Sequence, residues 1–407
     1  MMLVDQALDR ILSAIAAHSP LPAEEVSLLE AGGRILAADI LARRSQPPLA
    51  MSAMDGWAVR GADAEQAGRI LRQSGYVSAG HVHDQPVGPG EAVRIFTGAP
   101  MPPGADTVVL QENTRILADG GIELLEATRT GRNVRLPGID FTAGTIGLTA
   151  GRRLTARDIG LAAAMNHPWL PVRRRPRVAI LATGDEVVRP GEPIGPAQIV
   201  SSNSYALAAL VKRWGGEPTL LGVARDNDGD LRQLAAGVRG ADLLLTSGGA
   251  SVGEHDLVKS SLAAIGLTLD FWKIAMRPGK PLMFGHLGSV PMLGLPGNPV
   301  SSMVCAFLFL RPLMMTLLGA SAIHLPRQFL PLGQDMPAND SRQDFLRARR
   351  HMTDQGSVVI PMTSQDSSVM SVLAASDCLL IRPPHAPAQP AGTLAEIVPL
   401  DDGADPA

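Results

Sequence analysis

The sequence predicts a multidomain protein of the α/β-plus-β class: one α/β layer, an inserted all-β module, a small helical domain and a C-terminal β-barrel. Three observations predict this. The chain has 407 residues, which suits roughly two to four domains rather than one core. Residues 173–322 alternate short apolar runs with helical stretches, the pattern of a largely parallel sheet. Residues 49–140, and again those after 323, consist of short β-type runs divided by Gly and Pro.

Taken in order, Leu3, Ala7, Ile11 and Ile15 share one helical face over 3–17. A Pro-rich connection ends at Gln46-Pro47-Pro48, and runs such as VRIFTGAP and ADTVVLQEN then build the β module. A helix returns after Thr155, where Thr155 and Asp158 have the spacing of a capping box. The module at 49–140 is therefore expected as an insertion in a helical domain made of 1–48 and 141–172. In 173–322, Val178 to Ala182, Leu220 to Val223, Leu243 to Thr246 and Met292 to Leu295 are predicted strands. Tyr205 to Trp214 is a predicted helix. Any ligand site in such a layer belongs at the carboxyl ends of the strands. The run from Met303 to Leu318, interrupted by Arg311-Pro312, is expected as a buried core helix and not a membrane span. From 323 to 407, FLRARR, SVVIPM, CLLIRP and AEIVPL predict a small β-barrel or sandwich, with a frayed acidic tail after Leu400.

Composition narrows the function. Lys plus Arg number 36 against 39 Asp plus Glu, a net charge of -3, so no global basic field serves nucleic acid or an anionic membrane. Anion sites must be local. The two cysteines, Cys305 and Cys378, form no CxxC pair, which argues against a Cys-rich zinc site and for a reducing compartment. Asp5 and Asp9 interrupt the first apolar stretch, so it does not read as a signal peptide. A cytoplasmic, soluble protein is expected. His81-Val82-His83 would face one side of a strand as a metal pair, but with no third ligand nearby two exposed histidines are the simpler reading. The four tryptophans are expected to serve packing.

Four loops stand where strands end. Thr183-Gly184-Asp185-Glu186 offers two carboxylates for a hard cation or for base work, and equally suits a solvated turn capping a helix. Ser247-Gly248-Gly249-Ala250-Ser251 lets backbone N–H groups converge on an oxyanion and runs on to Asp256, an acid for a metal or for a helix terminus. Arg277-Pro278-Gly279-Lys280-Pro281 holds two cations on one turn, as a clamp for a tetrahedral dianion would. Pro296-Gly297-Asn298-Pro299-Val300-Ser301-Ser302 aims a helix N-terminus and its hydroxyls at the same rim. Asp226 and Asp228 add acids there. Together these groups fit a phosphorylated ligand held with a divalent cation. There is no Walker A loop and no GxGxxG fingerprint, so nucleotide hydrolases and dehydrogenases fall back.

In this order, the loops resemble those of the molybdopterin molybdenumtransferase family (the MoeA and gephyrin E-domain family). The resemblance rests on SAMDGWAVR at 52–60, TGAPMPPGAD at 97–106, GRNVRLPGID at 131–140, TGDE at 183–186, SGGASVGEHD at 247–256, RPGKP at 277–281 and PGNPVSS at 296–302. It implies a pterin-binding, MogA-like α/β domain. It also implies a homodimer whose cleft lies between the α/β domain of one subunit and the β module of the other. The implied reaction inserts molybdate into adenylyl-molybdopterin and releases AMP, with Mg²⁺ as cofactor. The implied partners are adenylyl-molybdopterin, molybdate, and, in transient contact, the molybdopterin adenylyltransferase and other proteins of the pathway.

By motif, Asp55, Thr97, Arg135 and Asp140 would line the partner's side of the cleft. Glu186, Asp226 and Asp256 would be the acids around magnesium and the pterin phosphates, with Glu186 and Asp256 on the metal. Ser251, Arg277, Lys280, Ser301, Arg347 and one of Ser367 or Ser368 would form the molybdate pocket. Thr183, Gly248, Gly249, Pro281 and Asn298 would complete substrate binding. The chain departs from the family pattern at Arg277, which replaces the first Lys of KPGKP, at Ile139, where an acid is usual, and at Ser376-Asp377 in place of Ala-Asn. Two rival readings are an adenylyltransferase of the same pathway and a non-enzymatic scaffold.

Overall fold

A computed structural model describes the chain except residues 226–228, 231–232, 234–235, 249–262, 264–265, 355 and 401–407. The α/β layer is a six-stranded mixed sheet. Its strands are β1 (Arg177–Thr183), β2 (Glu217–Ala224), β3 (Leu243–Ser247), β4 (Leu267–Trp272), β5 (Met283–Leu287) and β6 (Val290–Leu295), in the spatial order β2-β1-β3-β6-β5-β4. The pairs β2–β1, β1–β3 and β3–β6 are parallel. Each predicted strand of the layer lies within an observed one. β1 shows why it forms: Val178 and Ile180 face one core while Ala179 and Leu181 face another, so both sides are covered, as parallel strands require.

The larger core collects α1 (Val4–Ala16), α3 (Asn203–Arg213) and α4 (Pro299–Leu317) on one face of that sheet. Trp214 packs edge-on against Phe307 at its centre, with ring centroids 5.7 Å apart. α4 is apolar and long enough to cross a membrane, but 89% of its most apolar window is buried, which marks a core helix. Arg311-Pro312 does not break it. A π-turn over Ala306–Leu310 widens the helix just ahead of Pro312, where a proline loses one backbone hydrogen bond and crowds the preceding turn.

α1 packs against the C-terminal half of α4 and not with the second helical segment. Its buried positions Val4, Ala7, Ile11 and Ile15 follow the predicted face. The unit around α2 (Ala156–Ala164) instead draws on the segment after α1: Ala23–Ser27 pairs with Trp169–Arg173, and Leu36, Ile40, Leu148 and Leu170 share its core. Thr155 caps α2 in the expected box, its backbone N–H donating to Asp158 at 2.8 Å.

The β module is a six-stranded sheet within residues 56–124. His81 and His83 lie in a loop there and not on a strand. Of the tryptophans, Trp57 and Trp214 are buried, but Trp169 is 55% exposed and does not serve packing alone. The C-terminal strands are β7 (Gln328–Pro331), β8 (Gln343–Thr353), β9 (Gly356–Pro361), β10 (Cys378–Arg382) and β11 (Leu394–Pro399). They pair in the ring β7-β11-β10-β8-β9. Leu332, just past β7, bridges to Val359 of β9, and Gly333 N–H donates to the Val359 carbonyl at 2.9 Å, closing the barrel.

Candidate active site

The topology gathers the predicted loops. β5 runs antiparallel to both β4 and β6, so β4 points the same way as β6. The RPGKP turn that follows β4 therefore opens on the rim where β1, β3 and β6 end. A cleft of about 1030 Å³ lies there. Thr183, Gly184, Glu186, Gly248, Arg277, Lys280, Pro281, Asn298 and Ser301 line it from the α/β side, and Ser367 and Ser368 from the barrel side.

Two glycines are demanded by this packing. Gly248 has φ +96°, and a Cβ there would stand 2.5 Å from the Thr183 carbonyl oxygen. Gly279 has φ +116°, and a Cβ would stand 2.5 Å from Cys305 Sγ on α4. The second clash explains how the basic turn sits flush on the helix. Burial pushes the Cys305 thiol far up, leaving it an inert packing group.

The two walls are stitched together at the start of α4. Val300 N–H donates to the Ser367 carbonyl at 3.1 Å, and Asn298 Nδ2 donates to Ser367 Oγ at 2.8 Å. Ser367 therefore accepts through its hydroxyl oxygen and keeps its proton to donate. Ser368 Oγ instead donates to Asp366 at 2.7 Å, which together with the Ser368 backbone N–H holds the Asp366 carboxyl below its ordinary range. Of the two serines, Ser367 is the available donor.

The cations differ in how they are used. Lys280 lines the cleft with no carboxylate partner among the described residues. Arg277 also lines it but pairs with Asp344 and Asp340. Arg347 is 1% exposed and stands behind the wall, where Gln365 brackets its backbone with two hydrogen bonds of 2.9 Å. Its Nε and Nη2 have no partner among the described residues, and burial lowers its affinity for its proton while Asp366 and Asp344 restore part of it. Nη1 donates to the Phe345 carbonyl at 3.4 Å, and a buried guanidinium with so few partners is costly.

The remaining predicted residues are elsewhere. Asp226, Gly249, Ser251 and Asp256 lie outside the described residues. Thr97, Arg135 and Asp140 are exposed and Asp55 half-buried, all on or beside the β module, and no residue before Ala182 lines the cleft. Asp55 accepts from Thr97 N–H and Oγ1, both at 2.8 Å, and these bonds hold its carboxyl below the ordinary range. Sequence reasoning missed Asn203, whose Nδ2 donates to Ser247 Oγ and the Gly297 carbonyl at 2.8 Å each, tying the ends of β3 and β6 together. It also missed Gln365 and Arg342 on the barrel wall. The only available signal for Asn203 was its place at the start of a helix, in Ser201-Ser202-Asn203.

Known proteins match this chain in the same arrangement. Residues 2–166 match the MoeA N-terminal region (domain I and II), 179–316 a probable molybdopterin binding domain, and 330–400 the MoeA C-terminal region (domain IV). The molybdopterin molybdenumtransferase of Haemophilus influenzae is 34% identical over 384 residues, covering 94% of both chains. The chain belongs to the molybdopterin molybdenumtransferase family. The enzyme of that name from Nostoc sp. is 42% identical over 340 residues, covering 81% of this chain and 78% of its own. A molybdopterin biosynthesis MoeA protein from Pyrococcus horikoshii OT3 superposes with a TM-score of 0.85 at 27% identity, over 98% of this chain and 100% of its own. The α/β-plus-β architecture is thus that of the family.

Proposed function

We propose that this protein is a transferase of molybdenum cofactor biosynthesis that inserts molybdate into adenylyl-molybdopterin and releases AMP. The observation that carries the reading is the cleft that Lys280, without a carboxylate partner among the described residues, lines together with Ser301 and Ser367. Cations and hydroxyls of this kind suit a tetrahedral dianion better than a planar or neutral ligand. The adenylyltransferase and scaffold readings give way, because the relatives matched across the N-terminal, central and C-terminal regions are named as molybdenumtransferases.

Molybdate is a substrate here. Lys280, Ser301 and Ser367 hold its oxygens while the two dithiolene thiols form bonds to molybdenum, their two protons leaving with one molybdate oxygen as water. The Gly-rich loop that begins at Gly248 would take the pterin phosphate, and Thr183, whose buried Oγ1 has no partner among the described residues, offers a further donor. A hard divalent cation fits the exposed Glu186 carboxylate at the cleft, since Mg²⁺ is held by one or two carboxylates together with substrate phosphates. Glu186 and Asp256 would hold it, and it supplies charge neutralisation at the pyrophosphate.

The second wall of the cleft, in this reading, is the β module of another copy, contributing Asp55, Thr97, Arg135 and Asp140 in a homodimer. The protein works in the cytoplasm and receives its substrate from the adenylyltransferase of the pathway. Two buried free cysteines support a reducing compartment. The test is AMP release by the purified protein from adenylyl-molybdopterin with Mg²⁺ and molybdate. Release should depend on molybdate and be inhibited by sulfate. A folded protein that releases no AMP at millimolar molybdate would overturn the proposal.

A further inference from the structure

Arg277 sits at the mouth of the cleft, where a cation invites the role of oxyanion ligand. Its hydrogen bonds point the other way. Nη2 donates to Asp344 and, at 3.4 Å, to Asn339 Oδ1, while Nη1 donates to Asp340 Oδ2 at 3.1 Å. Asp344 is 3% exposed at the start of β8, and Asn339 and Asp340 lie just before that strand. The backbone makes the same connection: Met276 and Arg277 pair in parallel with Gln343 and Asp344, and Gln343 N–H donates to the Ala275 carbonyl at 3.0 Å. Asp344, then Asp340, raises the proton affinity of the guanidinium, so its charge is already answered. Lys280, on the same turn, is answered by no acid among the described residues. A guanidinium fork reaches two carboxylates at once, whereas an ammonium is a single point of charge.

We infer that Arg277 is a positioning residue and not a ligand of the oxyanion: neutralised by Asp344 and Asp340, it braces the RPGKP turn against the barrel and so sets where Lys280 stands in the cleft. The inference rests on the reading of the cleft as a molybdate pocket. It assigns the Lys-to-Arg departure from the family motif a purpose, because this chain offers the turn two acids to span.

The test measures kcat, KM for molybdate and melting temperature in Lys280→Gln, Arg277→Gln, Arg277→Lys, Asp344→Asn and the double variant Arg277→Gln/Asp344→Asn. Lys280→Gln should raise KM by about tenfold or more, as loss of a charge-assisted contact does. Arg277→Gln and Asp344→Asn should each raise it about three- to tenfold with kcat little changed, and the double variant should be no worse than either single. Arg277→Lys should also raise KM, although the charge is kept. A ligand role predicts the opposite sign for Asp344→Asn, which would free a cation and leave KM unchanged or lower; that result, or additive effects in the double variant, overturns the inference. If burial makes Asp344→Asn unfold, Arg277→Lys decides: it keeps the charge but not the two-acid span, and a KM unchanged from the parent's there overturns the inference equally. An unchanged KM in Lys280→Gln would instead bring down the pocket reading itself.

Discussion

The cleft and the β module both carry motif residues of the molybdopterin molybdenumtransferase family, yet the chain treats them in opposite ways. In the cleft, residues from 182 to 370 converge on one volume, where Thr183 Oγ1 is buried and, among the described residues, unbonded; behind its wall two nitrogens of Arg347 are in the same state. On the module, Asp55 and Thr97 satisfy each other, and Arg135 and Asp140 stand exposed. A buried unpaired group costs stability in its own chain, and where it lines a cleft a ligand can satisfy it. An exposed, locally satisfied group asks nothing of its own chain and is free to serve another. The difference teaches that one chain holds a pocket with unmet donors and, away from it, a set of finished side chains ready to be presented.

The largest effect should come from the pocket half. Asp256→Ala removes an acid that the family pattern assigns to magnesium, and should abolish magnesium-dependent AMP release with the fold intact by circular dichroism. Normal release by the folded variant would take Asp256 out of the mechanism and leave Glu186 as the acid of the site.

A second effect tests whether the two halves meet between chains. Asp55→Ala and Asp256→Ala variants, each inactive alone, should regain activity when unfolded and refolded together, because a two-fold dimer then has one cleft with both lesions and one with neither. Each mixed dimer should show about half of wild-type activity. Confirmed mixed dimers without recovery would place the role of Asp55 inside its own chain and dissolve the contrast between the halves.

How much of this was legible in the sequence follows from what each signal encodes. The strands of the α/β layer were, because Val178 to Ala182 and its counterparts are short apolar runs separated by polar and helical stretches. The cap at Thr155 was, because its partner is three residues away. The company kept by α1 was not: the face of Val4, Ala7, Ile11 and Ile15 says that the helix is buried, not against what. Nor was the unbroken passage of α4 through Pro312, since a π-turn has no composition of its own. In the site, glycines and cations on short turns announced themselves, while Asn203 and Gln365 did not. Each is a single amide whose role exists only once distant loops have met. Arg347 could be placed by motif, but its burial and missing partners belong to the packing of the barrel on the α/β core.

The smallest effect concerns the finished half, where Thr97→Val removes one of the two bonds that depress the Asp55 carboxyl. The backbone N–H of residue 97 still donates, so the pKa of Asp55 should rise toward its ordinary value without reaching it. The sign follows from linkage. A carboxyl depressed in the folded state contributes stability that is present above its unfolded pKa and lost as pH falls through the folded one, so the variant should lose that contribution at a higher pH than the parent. Asp55 is only half-buried at the surface, and the change in overall stability should be slight. A carboxyl-carbon NMR titration of Asp55 reads the shift directly, and the acid limb of the pH–activity profile should move up with it if the carboxylate must be charged when it reaches the partner's cleft. An Asp55 titration that does not move would mean that the Thr97 hydroxyl does not bind it in solution, and the module would then be less finished than its geometry suggests.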